Sequence, residues 1–333
     1  MSNKIFIFGA GSSVHVGGPL NKDWIERIKN NPDTIKDYAT AISFLTSLPG
    51  FDNLEALLSL FDLSIIEQHN YLPVSASLNY LEHIRKQLIC CIGNVAKELT
   101  ESAKEDSLIE DFFNKTKLQE GDTVINFNYD LLVDNGLFKT GLWNPYSGIK
   151  NNTCGYGFGI TSLNGRKETG ALKDIITSKI DYLKIHGSIN WIYNTFNDID
   201  WNLFDPAGIS NTSFIYPSLP TNFIVTPSFI KIFEEMPLRM LWLYAHENIS
   251  KATEIYIIGY SFPKADVLAR QLLLHLNESV NKIIIVDPLN YGLNEDDKRD
   301  DIKSMLPWKK DDNFWDNKIE INRQTFTEYV NAL

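Results

Sequence analysis

Hydrophobic and polar positions along this chain fall into short apolar runs, each ending in a cluster of small or polar residues. Ile5–Phe8 runs into Gly9-Ala10-Gly11-Ser12-Ser13, and Thr123–Ile125 into Asn126-Phe127-Asn128-Tyr129-Asp130. Tyr182–Ile185 ends in His186-Gly187-Ser188, Ile255–Ile258 in Gly259-Tyr260-Ser261, and Ile283–Val286 in Asp287-Pro288. Short, β-branched, near-continuous runs are the mark of strands buried on both faces of a parallel sheet. Ligands of such sheets bind outside the carboxyl ends of the strands, so function is expected where these five ends converge.

Between the runs the spacing turns helical. Asp23–Lys29, Ile35–Leu48, Asn53–Leu63, Leu78–Leu99 and Asp106–Phe113 place apolar residues every three or four positions, with a turn at Pro49-Gly50. Asp130 opens a short helix toward Asn135-Gly136. The pattern weakens into loops over Leu142–Lys179 and Asn194–Ser213, and Phe214–Tyr216 and Phe223–Val225 read as short strands. Ser228–Ile249 reads as a long apolar helix, Lys264–Leu276 as the helix of a βαβ unit, and Ile319–Ile321 as an added edge strand. The expectation is an α/β chain with a Rossmann-like, mostly parallel sheet flanked by helices. The core is drawn from residues 1–20, 120–136, 180–190 and 214–290 of one domain over 1–333, with a helical insertion at about 22–115 and an irregular insertion at about 140–180.

The 333 residues are 44% hydrophobic and 22% charged, the balance of a globular chain. A formal net charge of −11 argues against a general nucleic-acid or anionic-membrane surface, which needs clustered Lys and Arg. No apolar stretch approaches the roughly 20 residues of a membrane span, and the amino terminus leads directly into a strand. Cys90, Cys91 and Cys154 form no C-x-x-C pair, which removes a thiolate-rich zinc site; Cys90 and Cys91 read as buried small hydrophobes. No metal and a reduced, cytoplasmic setting are expected.

Each motif has a bland reading beside its chemical one. Gly9-Ala10-Gly11 after a strand suits a phosphate cradle, with Ser12 and Ser13 as hydroxyl donors and Gly17-Gly18 as a second flexible turn; a glycine turn that only packs a loop is the alternative. Val14 stands where G-x-G-x-x-G needs its third glycine. His186, alone among six histidines, closes a strand beside a glycine, and imidazole suits a general base; a structural histidine is the alternative. His15 follows the glycine loop within reach of a ligand, whereas His69, His83, His246 and His275 lie on or beside helical stretches. Asn128 offers a donor and an acceptor for a water or ribose hydroxyl, or is a turn residue. Asp130 is equally a helix N-cap, a role compatible with ligand contact. Asp287 accepts a ribose hydroxyl or starts the turn at Pro288.

Taken in order, these motifs resemble the sirtuin family in its broad sense. The G-A-G-x-S loop appears as Gly9–Ser13, the segment with asparagine and aspartate as Asn126–Asp130, the H-G as His186-Gly187, the G-x-S turn as Gly259–Ser261, and the late acidic strand end as Asp287. F-N-Y-D, K-I-H-G-S-I-N-W and G-Y-S-F-P-x-x-D (Gly259–Asp266) are most similar to sirtuin-like proteins of bacterial antiphage defence. That resemblance implies NAD as substrate, cleaved to nicotinamide and ADP-ribose by an NAD-depleting effector. The catalytic group would be Asn128, His186 and Asp130; Gly9, Ala10, Gly11, Ser12, Ser13, Asn128, Gly259, Ser261 and Asp287 would hold NAD. The missing zinc ribbon favours hydrolysis over deacylation. An NAD-dependent ADP-ribosyltransferase or deacylase, and a non-catalytic nucleotide sensor, remain the alternatives. The implied partners are NAD, further copies of the chain, and a separately encoded activating or sensor protein.

Overall fold

A computed structural model of the chain describes residues 3–48, 51, 53–145, 155–157, 177–193, 199–201, 222–226, 228, 236–263, 266–288, 294–307 and 313–333. Strand β1 (Lys4–Phe8) passes through a 3-10 turn, Ala10–Val16, into helices α1 (Trp24–Asn30), α2 (Pro32–Asp37), α3 (Ala39–Thr46), α4 (Leu54–Ile66), α5 (Leu78–Ser102) and α6 (Leu108–Lys115). Then follow β2 (Thr123–Asn126), α7 (Leu132–Lys139), β3 (Asp181–Lys184), β4 (Gly187–Tyr193), β5 (Ile199–Trp201), β6 (Asn222–Ile224) and α8 (Met236–Ile249). The chain ends with β7 (Glu254–Ile258), α9 (Val267–Leu272), β8 (Lys282–Val286), α10 (Glu295–Lys303), α11 (Asn313–Asp316), β9 (Ile319–Asn322) and α12 (Phe326–Ala332).

Local chemistry sets these boundaries. Asn31, Asn53, Ser77 and Asp266 cap α2, α4, α5 and α9 with side-chain oxygens, and Pro32 starts α2 where its missing N–H costs nothing. Reciprocal capping boxes, Asn294 with Asp297 and Thr325 with Glu328, open α10 and α12.

Six strands pair in the order β3-β2-β1-β7-β8-β9, all parallel. The chain starts in the middle, winds outward through β2 and β3, returns beside β1 as β7, and winds outward again. That is a doubly wound Rossmann-type sheet, with its switch point between β1 and β7. A second, antiparallel sheet of order β5-β4-β6 begins directly after β3. Helices α1 to α6 all fall between β1 and β2.

Along β1 the side chains alternate. Phe6 and Phe8 face a cluster with Phe112 and Phe113 of α6, at ring separations of 5.6–5.8 Å, and Phe6 stacks on Tyr256 of β7 at 4.9 Å. Phe326 of α12 closes the cluster 6.1 Å from Phe8. Each aromatic pair adds roughly 0.5–1.5 kcal/mol beyond area burial, so α6 and α12 are pinned to this face of the sheet. Helix α5 buries Leu81, Ile84, Leu88, Ile92, Val95, Ala96 and Leu99, which places its apolar stripe in the core.

Several expectations change. α7 does not stop at Gly136 but runs through it, because that glycine is a contact point: a Cβ there would lie 2.5 Å from Ile109 of α6. Asp130 is not the N-cap; Leu131 is, and the Asp130 carboxylate accepts the Leu132 N–H at 3.1 Å. The run Gly187–Tyr193, read only as the tail of the histidine motif, is a strand of the second sheet. β9 and β6 form where short strands were expected, and Cys90 and Cys91 are buried. Ser228 is not helical; Pro49-Gly50, Cys154, Phe214–Tyr216 and residues 229–235 of the expected Ser228–Ile249 helix lie outside the described residues.

A buried polar network ties β3 of the main sheet to α7 and the loop after β2. Asp134 accepts Tyr156 Oη at 2.6 Å and Tyr182 Oη at 2.7 Å, and pairs with Lys184 Nζ at 3.1 Å. Lys184 and Asp134 are both 0% exposed, and Lys184 also donates to the Asp130 carbonyl at 2.6 Å. Removing one member leaves a buried charge without its partner. Lys184→Met is expected to cost about 3–5 kcal/mol of unfolding free energy in denaturant titration; a change within about 0.5 kcal/mol would mean that the network is dispensable.

Candidate active site

Five strand ends open on one edge of the main sheet, and the inter-strand ladder continues one residue beyond each pairing. Gly9 N–H donates to Ile258 O at 3.0 Å, Phe127 N–H to Phe8 O at 3.0 Å, Gly259 N–H to Val286 O at 3.1 Å and Asp287 N–H to Asn322 O at 3.1 Å. At the switch point the two glycine loops meet backbone to backbone. Gly11 N–H donates to Gly259 O at 2.8 Å; a Cβ on Gly11 would lie 2.6 Å from Gly259 Cα, and one on Gly259 would lie 2.3 Å from Ser12 N. Gly259 also takes a left-handed φ of +59°, which disfavours side chains independently of space. Two further signs of a held loop follow it: Phe262 has φ +51°, and Arg270 fixes its carbonyl at 2.8 Å.

A cavity of about 1060 Å³ sits over these ends. Every residue expected to hold a ligand or act in catalysis lines it except Gly9 and Ser12, which lie behind its wall. The helices between β1 and β2 contribute Trp24, Glu55, Ala96 and Leu99, none of which the sequence motifs marked. Among the described residues, the cavity carboxylates Glu55, Asp130, Asp266, Asp287, Asp297 and Asp301 outnumber the cations Lys22, Arg270 and Lys298.

Asn128 is the junction between the first two loops. Its Nδ2 donates to Gly9 O at 3.1 Å, Ser12 Oγ at 3.1 Å and Ser13 Oγ at 3.2 Å, while its Oδ1 accepts no hydrogen bond from the described residues. The expected hydroxyl donors are corrected here. Ser12 Oγ donates to Gly9 O at 2.8 Å and Ser13 Oγ to Asp130 Oδ2 at 3.0 Å, so both hydroxyl protons point into the protein. The amides of Gly9 and Gly11 are likewise engaged within the sheet edge. What the loop presents to the cavity is close backbone at Ala10 and Gly11, with Ser13 beside it. Burial pushes the Asp130 carboxyl above its ordinary range, against the opposing pull of Lys184.

His186 sits in the turn between β3 and β4, its carbonyl held by Val225 N–H at 2.9 Å. The imidazole Nε2 is 3.1 Å from Asp266 Oδ2, the two side chains being 8% and 3% exposed. Tyr260 Oη also reaches Asp266 Oδ2, at 2.7 Å. Asp266 is the functional candidate that the motifs missed. It was visible only as the last letter of G-Y-S-F-P-x-x-D, inside the expected Lys264–Leu276 helix, and nothing in one sequence pairs it with a histidine some 80 residues earlier. Asp287 is charge-paired with Lys298 of α10 at 2.9 Å, and Ser261 is exposed at the cavity rim. His15 pairs with Asp106 at 2.6 Å on the rim. Of the remaining histidines, His83 bonds Gln87 and His246 packs on His275 at 4.2 Å. No group of three or more metal-ligating side chains occurs among the described residues, nor does any described helix suit a membrane span.

No protein-family model matches this chain, and no curated protein does. Among solved structures, a Sir2 homologue in complex with NAD is similar over 99% of this chain and 86% of its own, with 12% identity and a TM-score of 0.46. A Sir2-homologue mutant with 2'-O-acetyl ADP ribose gives 12% identity and 0.47 over 99% and 89%; Sir2Tm bound to a propionylated peptide gives 13% and 0.40 over 99% and 91%. Likeness at this level assigns neither family nor activity, and the functional reading rests on the site itself.

The switch-point contact is open to a direct test. Gly141 has φ +70°, and a Cβ added there would meet nothing within 4 Å, so Gly141→Ala carries backbone strain alone, about 1 kcal/mol. Gly259→Ala adds a backbone clash and is expected to lose about 1–3 kcal/mol more. Equal losses in parallel denaturant titrations would show that the close approach is not a constraint.

Proposed function

We propose that this chain cleaves NAD at the bond between nicotinamide and ribose, releasing nicotinamide and ADP-ribose. The observation that carries the reading is the buried His186–Asp266 pair facing a cavity at the switch point of a doubly wound sheet. Dinucleotides bind across that crevice. The pyrophosphate would lie against the backbone of Ala10 and Gly11, with Asp287 and Ser261 toward the adenosine ribose.

When the bond breaks, its electron pair goes to the nicotinamide nitrogen, which leaves neutral, and the ribose becomes an oxocarbenium-like cation. An excess of carboxylates around the cavity suits a developing positive charge. Asn128 Oδ1 would accept from a ribose hydroxyl or the attacking water, while its Nδ2 is held by the glycine loop. His186 takes the proton as the water oxygen bonds to the ribose carbon. Asp130 orders the loop through Ser13 and touches no reacting atom in this scheme.

Incubation with NAD is expected to yield free nicotinamide and free ADP-ribose. ADP-ribose fixed to protein would point to transfer instead, and an unchanged NAD pool to a sensor. His186→Ala is expected to lower turnover by about 10²–10⁴, and Asn128→Ala nearly as much. His83→Ala, exposed on α5, serves as the neutral control. A control loss matching that of His186→Ala would remove the site.

The resemblance to antiphage proteins supports a role as an NAD-depleting effector that is silent until it assembles with itself or meets an activating protein. Specific activity is then expected to rise with protein concentration alongside a rise in mass by light scattering. Full activity in a dilute monomer would contradict that regulation.

A further inference from the structure

The His186 ring has a defined electrical environment on one edge. Asp266 Oδ2 accepts the Tyr260 hydroxyl at 2.7 Å and lies 3.1 Å from His186 Nε2, within ion-pair distance, and Oδ1 accepts the Ala269 N–H at 3.3 Å. Donors on both oxygens favour the charged form of the carboxyl group, so Asp266 acts as the carboxylate. Burial pushes the Tyr260 phenol far above its ordinary range, with Asp266 adding to the effect, so the phenol keeps its proton and remains a donor. A nitrogen facing an acceptor-only oxygen must carry the hydrogen, which leaves the lone pair of the neutral ring on Nδ1.

Packing keeps the ring in that orientation. Phe127 stands perpendicular to it at 4.8 Å and Trp242 of α8 lies 6.4 Å away. Phe127 is itself stacked on Tyr260 at 4.0 Å and 12°. Thus the tyrosine that donates to Asp266 also braces the ring that clamps His186.

We infer that Asp266 is the positioning residue of this site: it holds His186 as the Nε2–H tautomer, so that Nδ1 is the atom that accepts a proton. Its catalytic consequence rests on His186 being the base, as proposed above; the tautomer itself does not. One aspartate then has two jobs on its two oxygens, since Oδ1 caps α9 while Oδ2 orients the imidazole.

Asparagine is as competent an N-cap as aspartate, so Asp266→Asn keeps the helix start while removing the charge and allowing an N–H to face Nε2. Among the described residues, the titratable groups that share the cavity with His186 from neighbouring elements include Glu55 of α4, Asp130 and Tyr129 after β2 and Tyr260 after β7, with His246 of α8 behind Trp242. All are unchanged in this variant. Expected for Asp266→Asn are a fall in kcat of about 10²–10⁴ with KM for NAD within a few-fold, and an acidic limb of the pH–rate profile moved to lower pH, because the imidazolium has lost its counter-charge. Tyr260→Phe keeps the carboxylate and is expected to lose only about tenfold, with little movement of that limb.

The deciding measurement is the nitrogen-15 spectrum of histidine-labelled full-length protein, with the His186 signals assigned by their loss in His186→Ala. Above the titration of the ring, the wild type is expected to show a protonated Nε2 and an unprotonated Nδ1, and Asp266→Asn a gain of Nδ1–H. A wild-type ring protonated on Nδ1 overturns the inference, as does an Asp266→Asn variant with unchanged tautomer and pH limb. If the wild type shows Nε2–H but leaves NAD intact, the proposed activity fails and the positioning role stands.

Discussion

The approach of Gly11 and Gly259 at the centre of the sheet is the constraint on which the site depends. Two loops leaving adjacent parallel strands must diverge to opposite faces, and the crevice between them is only as narrow as their backbones allow. Here they are joined by a hydrogen bond of 2.8 Å with no side chain between them. That contact turns Gly11 and Ser12 toward β2, which brings Ser12 and Ser13 under Asn128, and Ser13 in turn onto Asp130. The residues that look most like a phosphate cradle thus build the floor of the site, and the cavity meets their backbone.

The second half of the site is set by the other loop. After Gly259 the chain passes through Tyr260 and the left-handed Phe262 to Asp266, held by Arg270, whose other guanidinium nitrogen pairs with Asp301 at 2.8 Å. This returns Asp266 over the end of β3, where the turn into the small antiparallel sheet presents His186. His186 is placed from both sheets: β3 delivers it, and Val225, directly after β6, fixes its carbonyl. Charge and packing then act together, since neither the Asp266 carboxylate nor the Phe127 ring alone would determine both the tautomer and the plane of the ring.

Helices α1 to α6, inserted between β1 and β2, do more than cover the sheet. They bring Trp24, Glu55, Ala96 and Leu99 to the cavity, so three apolar side chains and one carboxylate join its lining from these helices. Beneath it, Lys184 and Asp134 hold the loop after β2 from inside. Burying such a pair is a poor source of net stability, because desolvation offsets the attraction. Its value lies in geometry: with Tyr156 and Tyr182 on the same carboxylate, only one arrangement satisfies every polar atom.

The apolar runs alone determined the parallel sheet, the positions of its strand ends and most of the helices, because burial on both faces leaves a strand no alternation and a helix its three-to-four spacing. The same pattern marked Asn128 and His186, each standing at a strand end. What it left undecided are relations between residues far apart in sequence. Gly136 reads as a helix stop until Ile109 of α6 is packed against it, and Ser12 and Ser13 read as ligand donors until Gly9 and Asp130 take their protons. Asp266 reads as one more residue of the Lys264–Leu276 helix until the structure starts α9 at Val267, makes Asp266 its cap and brings the end of β3 against it. A side chain's partner depends on distance in space, and only the winding of the chain about the switch point sets that distance.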